Sequence, residues 1–423
     1  MLDLAKLVDA IASNTVYEQA VRAYAPEDVA VLANIHCLPS TVSLIRALIQ
    51  FGVPAQAIVV IPKPYSTVSS AEAQVQEFGV HVVRGTLPGP PGFYDRDVHR
   101  MLDSGCQYMA SILTKSRARR LILLDDGGLL SANWHRDCSS VIGDVISIQQ
   151  TASGMARWPY ESPMPKLDVA RCAAKRIFES WIVSSGVIRK LETLKLIGEH
   201  HTVGVVGAGT LGTRLTEHLL PLVGRVLTYD KIKSREVFGA DRCRSAPELL
   251  RNATLIFGCT GKNWLRGDRL MQATTQRHFV SCSSRAVEFQ TLLQSSKIIA
   301  GQVPFGRLIV ETKGGTRHVV ENGGFPLNFD RSHEWETGQE ILLTRALILL
   351  SFCQSLTLTR RRERAQVLTL TPAGQQQLVK AWLDDMGRKC TDFGVSELDF
   401  RSVRWWQKNS EESERFFLTR SVI

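Results

Sequence analysis

Four groups of residues in this chain have types and spacings suited to chemistry. The first is Gly207-Ala208-Gly209-Thr210-Leu211-Gly212, which follows a β-branched apolar run and opens a helix-forming segment. In such a turn the first glycine permits the tight bend and the second lets backbone approach a pyrophosphate. The third lets helix and strand pack closely, while the helix N–H groups and dipole favour the anion. Asp230, at the end of the next apolar run, is placed to accept hydrogen bonds from an adenosine ribose. Its charge favours NAD over NADP, and Lys231 and Lys233 pull the other way.

The second group is Asp125-Asp126-Gly127-Gly128, two carboxylates at the carboxyl end of the apolar run 121–124. In an open α/β sheet that edge is where ligands bind, although an Asp-Gly turn also simply ends a strand. Third come Lys175 and Glu179, which at i and i+4 share one helical face. On spacing alone they form a surface ion pair worth about 0.3–0.5 kcal/mol. The fourth is His36, which comes after the strand candidate 29–33; taken alone it reads as a structural histidine.

The elements that must position these groups alternate. Apolar β-branched runs at 29–33, 57–61, 80–83 and 121–124 are separated by helix-period segments at 40–51 and 71–78. That alternation predicts a parallel sheet covered on both faces. Segment 168–198 reads as a long helical region interrupted near 184–186. A second alternating unit begins at 201, with strands expected at 202–206, 225–229, 254–259, 278–282 and 297–300. Helices are expected at 209–222 and 246–251. A Gly-Gly turn between 307–311 and 317–321 predicts a hairpin, and 340–356 an apolar helix. The expected fold class is α/β, with two doubly wound parallel-sheet domains, the second a Rossmann NAD-binding domain inserted in the first. Its boundaries fall at 1–188 (substrate-binding domain), 189–335 (NAD domain), 336–370 (a helix returning to the substrate domain) and 371–423 (C-terminal segment). The apolarity of 340–356 exceeds the need of one domain face and predicts a homo-oligomer interface.

Taken in chain order, these motifs resemble the S-adenosylhomocysteine hydrolase (adenosylhomocysteinase) family. That family carries DDGGD after such a strand, then EETTTG, a Lys-x-x-x-Asp-Asn helix with a downstream cysteine, a glycine-rich NAD fingerprint and a TTG turn. Here stand DDGGLL (125–130), QQTASG (149–154), Lys175 with Glu179-Ser180, GAGTLG (207–212) and CTGKN (259–263). His36 and Tyr65-Ser66-Thr67 resemble an upstream histidine and an STQD segment. Leu370-Thr371-Pro372 and the glutamines that follow resemble a C-terminal motif. The resemblance spans about 36–377. It implies tightly bound NAD that oxidises a ribose C3′, elimination of a 5′-thiolate, addition of water and reduction of the ketone, with NAD recycled.

The resemblance implies a role for each matching residue. Lys175 would lie beside the 3′-hydroxyl, with Asp126, His36 and Glu179 in the catalytic group. Gln150, Ser180 and Asn328 would contact substrate; Gly207, Gly209, Thr210, Leu211, Gly212, Asp230, Thr260 and Asn263 would hold NAD. The substrate half departs from the family pattern. Gln150 stands for a carboxylate, Glu179-Ser180 for Asp-Asn, Ser184 for the cysteine and Ser284 for a histidine in the loop 283–288. The implied substrate is therefore a nucleoside thioether related to S-adenosylhomocysteine. The alternative is a catalytically degenerate, NAD-binding regulatory paralogue.

Composition narrows the rest. The 423 residues are 44% hydrophobic and 22% charged, which excludes a disordered, collagen-like or disulfide-stapled chain. Nine scattered cysteines without metal-like spacing suit reduced thiols and predict no metal site. With no ~18-residue apolar run and no basic signal-peptide start, no membrane partner is expected, and the expected compartment is the cytoplasm. The net charge of +10 favours anionic partners in general. Nucleic acid is the weaker option: the basic segments 115–120 and 360–364, the winged-helix-like segment 368–382 and the Trp405-Trp406 pair support it, and the tryptophans read better as interface or core.

Overall fold

The structure is a computed structural model that describes residues 11, 25–85, 94–157, 164–265, 275–283, 287–301, 305–358 and 367–418. Ser284, the loop 88–92 and the basic run 360–364 lie outside the described residues. The described chain groups into two compact units. One is drawn from Met1–Gly85, Val98–Glu179 and Gly338–Ile423, the other from Thr86–Asp97 and Ser180–Thr337.

The first unit is built on seven strands. In chain order these include β1 (Val29–Ile35), β2 (Ile58–Pro62), β3 (His81–Val82), β4 (Arg120–Asp125), β5 (Val145–Gln149) and β6 (Lys166–Asp168). With the late strand Val367–Thr369 they lie in the order Val367–Thr369, β6, β5, β4, β1, β2, β3. Every neighbouring pair is parallel. All residues of β1, β2 and β4 are buried, as sequences apolar on both faces require of a sheet covered by helices. The chain winds one way from β1 to β3 and the other way from β4 to β6, so the winding reverses between β1 and β4.

The helix Leu342–Thr357 corrects the interface expectation. Leu342 to Leu356 are all buried inside this unit. The helix packs on Pro39–Gln50 and on Pro372–Met386. A helix apolar all round is a core helix, and its excess apolarity is used up by neighbours within the unit. The C-terminal helices belong to the same unit. Trp406 is fully buried, with its indole N–H donating to the Phe400 carbonyl at 2.8 Å, so it packs as core. Among the described residues no helix is long and apolar enough to cross a membrane.

The second unit carries β7 (Thr202–Val206), β8 (Arg225–Tyr229), β9 (Asp241–Arg242), β10 (Leu255–Gly258), β11 (His278–Ser281), β12 (Lys297–Gly301), β13 (Leu308–Glu311) and β14 (Arg317–Val320). Their order is β12-β13-β14-β11-β10-β7-β8-β9. The sheet is mixed rather than wholly parallel, because β13 runs antiparallel to both β12 and β14. The short Gly-Gly turn forces that reversal. Side chains alternate across the sheet. Val203, Val205, Leu255 and Phe257 face a core with Leu215 and Leu219, whereas Ile256 and Phe279 face one with Leu249 and Phe289. Here the winding reverses between β7 and β10.

One expected break moves. The helix Ser180–Thr193 is continuous through 184–186. The irregularity lies just before it, where Lys175–Glu179 forms a π-helical turn, a geometry found often at functional positions.

Candidate functional site

In the first unit, four residues each stand one position past a strand on the carboxyl edge: His36 after β1, Lys63 after β2, Asp126 after β4 and Gln150 after β5. Asn34 pairs with Asp125 and Asp125 with Gln149, so the register aligns these ends where the winding reverses. That is the position at which open α/β sheets bind ligands.

The two adjacent carboxylates divide the work. Asp125 accepts hydrogen bonds from the Gly128 and Ser131 amides at 3.0 and 2.8 Å, from the Ser131 hydroxyl at 2.6 Å and from the Gln149 amide at 3.1 Å. It holds the turn and the start of the helix Leu129–Asp137. The turn also explains two glycines. A Cβ on Gly128 would lie 2.8 Å from the backbone of Gly154, so the motifs 125–130 and 149–154 meet glycine to glycine.

Asp126, by contrast, is buried and paired with two nitrogen bases. Its Oδ2 lies 3.1 Å from His36 Nε2 and its Oδ1 2.7 Å from Lys63 Nζ. His36 Nδ1 in turn lies 2.7 Å from Ser66 Oγ. Burial raises the proton affinity of Asp126, but Lys63 and His36 outweigh burial and hold its carboxyl well below the usual range. Burial lowers His36 to about 4 and Lys63 adds to the lowering, against the attraction of Asp126. The imidazole is therefore neutral at pH 7. With Nε2–H donating to Asp126, Nδ1 accepts from the Ser66 hydroxyl. Gln150 is also buried, and its Nε2 makes no hydrogen bond among the described residues, so a donor stands ready for a ligand oxygen.

Lys175 and Glu179 pair at 3.1 Å with side chains only 15% and 12% exposed, so the pair is not a solvated surface bridge. Glu179 also accepts from the Thr344 hydroxyl at 2.9 Å. Phe178, between them in sequence, packs on Trp382, Phe393 and Trp406. The Ala174 amide donates to Gln375 Oε1 at 3.1 Å and that of Ala173 to Ser410 Oγ at 3.2 Å. The π-turn is thereby clamped by the C-terminal helices. Ion pairing joins Lys175 to Glu179, whereas Asp126 takes its cation from Lys63.

In the second unit the glycine turn sorts its residues by cause. Gly207 has φ 101°, and a Cβ there would meet the Cys259 backbone at 2.9 Å. A Cβ on Gly212 would lie 1.8 Å from the Gly207 carbonyl. Chain packing alone demands both. Gly209 is different: its φ is −80° and the nearest atom to a Cβ is Arg235 Nη1 at 3.7 Å. Thr210 and Leu211 begin the helix Thr210–Leu219 directly after it. Asp230 Oδ2 accepts from the Ala208 amide at 2.9 Å and Oδ1 from Ile232 at 2.8 Å, with Arg235 beside it at 3.4 Å.

The remaining expected positions are structurally engaged. The Thr260 and Gly261 amides donate to Glu288 Oε1 at 2.7 and 2.6 Å, with the Thr260 hydroxyl 2.8 Å from Oε2. Burial pushes Glu288 up to about 7. Asn263 bonds Thr291 through both ends of its amide. Ser180 is buried at the head of its helix, and Ser184 donates to the Trp181 carbonyl at 2.9 Å. Asn328 donates to Glu336 Oε1 at 2.7 Å, and its own Oδ1 is buried without a hydrogen bond among the described residues. Burial pushes Glu336 up to about 7.

Sequence reasoning missed Lys63 and the roles of Gln375 and Glu288. Lys63 had one available signal: like His36, it stands within three residues of the end of an apolar run.

No family model matches the chain. Two uncharacterized proteins of Mycobacterium tuberculosis, from strains CDC 1551 and H37Rv, are each 28% identical over 311 residues, covering 72% of this chain. The chain spans 60% of the length of these curated relatives. Among solved structures it is similar to the A chain of dipicolinate synthase from Bacillus subtilis, at 11% identity and TM-score 0.40 over 77% of this chain and 97% of that one. It is also similar to a transhydrogenase from Sinorhizobium meliloti, at 11% identity and TM-score 0.39 over 80% and 98%. A third is the NAD-dependent formate dehydrogenase of Staphylococcus aureus, at 10% identity and TM-score 0.36 over 77% and 93%. None of these likenesses assigns the chain to the adenosylhomocysteinase family.

Proposed function

We propose that this chain binds NAD at the turn 207–212 and performs redox-assisted cleavage of a nucleoside thioether related to S-adenosylhomocysteine. The observation that carries the cofactor half is Gly209. Packing explains the other two glycines, whereas this one has a conformation open to any residue and space where its side chain would be. A glycine without a structural cause at a helix start fits close approach of a pyrophosphate. Gly207, Gly209, Thr210, Leu211, Gly212 and Asp230 would hold the dinucleotide, with Thr260 and Asn263 shaping the neighbouring turn.

When bound, NAD supplies reversible hydride acceptance from a ribose carbon. The chain supplies the rest. His36, neutral and buried against Asp126, is in the protonation state a general base requires. Lys175, held by Glu179, places a cation for a ribose hydroxyl. Gln150 offers an unbonded amide donor, Asn328 an unbonded acceptor, and Ser180 a hydroxyl that the resemblance assigns to substrate.

Two measurements test this. Gly209→Ala is expected to leave the melting temperature within about 2 °C of wild type while weakening NADH binding, read by fluorescence titration, at least tenfold. Equal affinity in both proteins defeats the cofactor assignment. Exchange of the 4′ hydrogen of adenosine in deuterated water, catalysed by the NAD-loaded protein, tests the chemistry. The uncharged Gln150 and the sealing of Asp126 by Lys63 favour a second reading, a regulatory NAD-binding paralogue without turnover. Observed exchange eliminates that reading, and its absence from a protein that binds NAD establishes it over the first.

A further inference from the structure

Asp126 is one buried carboxylate with two nitrogen bases against it: Lys63 Nζ at 2.7 Å on one oxygen and His36 Nε2 at 3.1 Å on the other. Only about 7% of each of these three residues is exposed. A buried site of this kind sustains one compensated ion pair, because an extra unpaired charge out of water is costly. The proton therefore goes to the stronger base. An ordinary lysine binds a proton about four units more tightly than an ordinary histidine.

We propose that Lys63 is the positioning residue of this centre: its ammonium is the cation that Asp126 pairs with, and His36 is thereby kept as an unprotonated imidazole between Ser66 and Asp126. This role rests on the function proposed above and deepens it. Without Lys63 the same carboxylate would recruit its counter-charge from His36, and a base already carrying its proton cannot take another. The other groups acting on His36 agree in sign or are neutral. Arg345, from the helix Leu342–Thr357, also disfavours a charged imidazole. Its Nε is committed to Ser40 Oγ at 2.8 Å. Tyr65 presents its ring edge-on at 5.5 Å between centroids. Ser66 follows Lys63 within one short segment, so the segment 63–66 holds both the cation and the hydroxyl that flank the imidazole.

The test is an NMR titration of ¹³C,¹⁵N-histidine-labelled full-length protein, with the His36 signals assigned through His36→Gln. Wild-type His36 is expected to be neutral at pH 6, with the proton on Nε2 and a midpoint near 4. In Lys63→Met the midpoint is expected to rise above 6, and in Lys63→Arg to stay within about one unit of wild type. A purely packing role would leave the midpoint of Lys63→Met where it was, and that result overturns the proposal. Finding imidazolium in the wild type at pH 6 overturns it too, without any variant having to fold. The readout needs no NAD. Loss of dinucleotide binding therefore strikes the proposed function alone, and a misplaced titration strikes this inference alone.

Discussion

Both units place their candidate chemistry where a parallel sheet reverses its winding, yet they furnish that edge in opposite ways. In the first, the strand ends carry His36, Lys63, Asp126 and Gln150, and the edge is filled with buried side chains, three of them joined by ion pairing. In the second, Gly207, Gly209 and Gly212 keep side chains away, and backbone amides and a helix start form the edge. A backbone cradle suits a polyanion that must come close. A side-chain cluster suits proton transfer, whose groups need tuned charge states. The same topology thus carries a backbone turn in one place and a charged side-chain cluster in the other.

The sharpest way to break the contrast is to remove charge from the first edge. Asp126→Asn leaves Lys63 buried without its carboxylate, and loss of one partner of a buried pair costs about 3–5 kcal/mol. Urea unfolding should show that drop; a loss below about 1 kcal/mol would mean the pair is effectively solvated. The corresponding change at the second edge is Gly212→Ala. A Cβ 1.8 Å from the Gly207 carbonyl forces the turn apart, and NADH affinity should fall about 100-fold, equivalent to about 2.7 kcal/mol. Set beside Gly209→Ala, it separates a glycine needed by the chain from one needed by the ligand, since only Gly212→Ala should also lower the melting temperature.

The smallest effect concerns sign. His36 is held at about 4, below its ordinary 6.5, so the unfolded chain binds more protons in that window. Stability from this site is complete above 6.5 and is lost as pH falls toward 4. Glu288 is pushed up to about 7 from 4.5, so its contribution is complete below 4.5 and is lost as pH rises to 7. The stability difference between wild type and His36→Gln should therefore grow from pH 5 to pH 7, while that for Glu288→Gln should shrink. Each change should amount to about 1–3 kcal/mol. Changes of the same sign in both stability differences between the two pH values, read by urea unfolding, would show that the two edges share one electrostatic character.

Legibility in the sequence followed how local each cause is. The strands β1, β2, β4 and β7 announced themselves through short runs of mostly apolar residues, and GAGTLG through a turn whose geometry lies within six residues. Val145–Gln149 and Lys166–Asp168 did not, because Ser147 and Lys166 interrupt short runs that become strands only by pairing with neighbours. The helix Leu342–Thr357 was legible as apolar, but its composition does not reveal what covers it. The covering helix Pro372–Met386 comes later in the chain.

His36, Asp126, Lys175, Glu179 and the glycine turn were all visible as residue types in order along the chain, because motif spacing survives in one dimension. Their charge states were not. That Asp126 takes its cation from Lys63 rather than Lys175, that Asp125 is spent on a turn, and that Gly209 alone among the three glycines of the turn 207–212 lacks a packing cause depend on which atoms come within about 3 Å after folding. Coulomb and desolvation energies vary steeply with distance and burial, and neither quantity is defined until the strands have found their register.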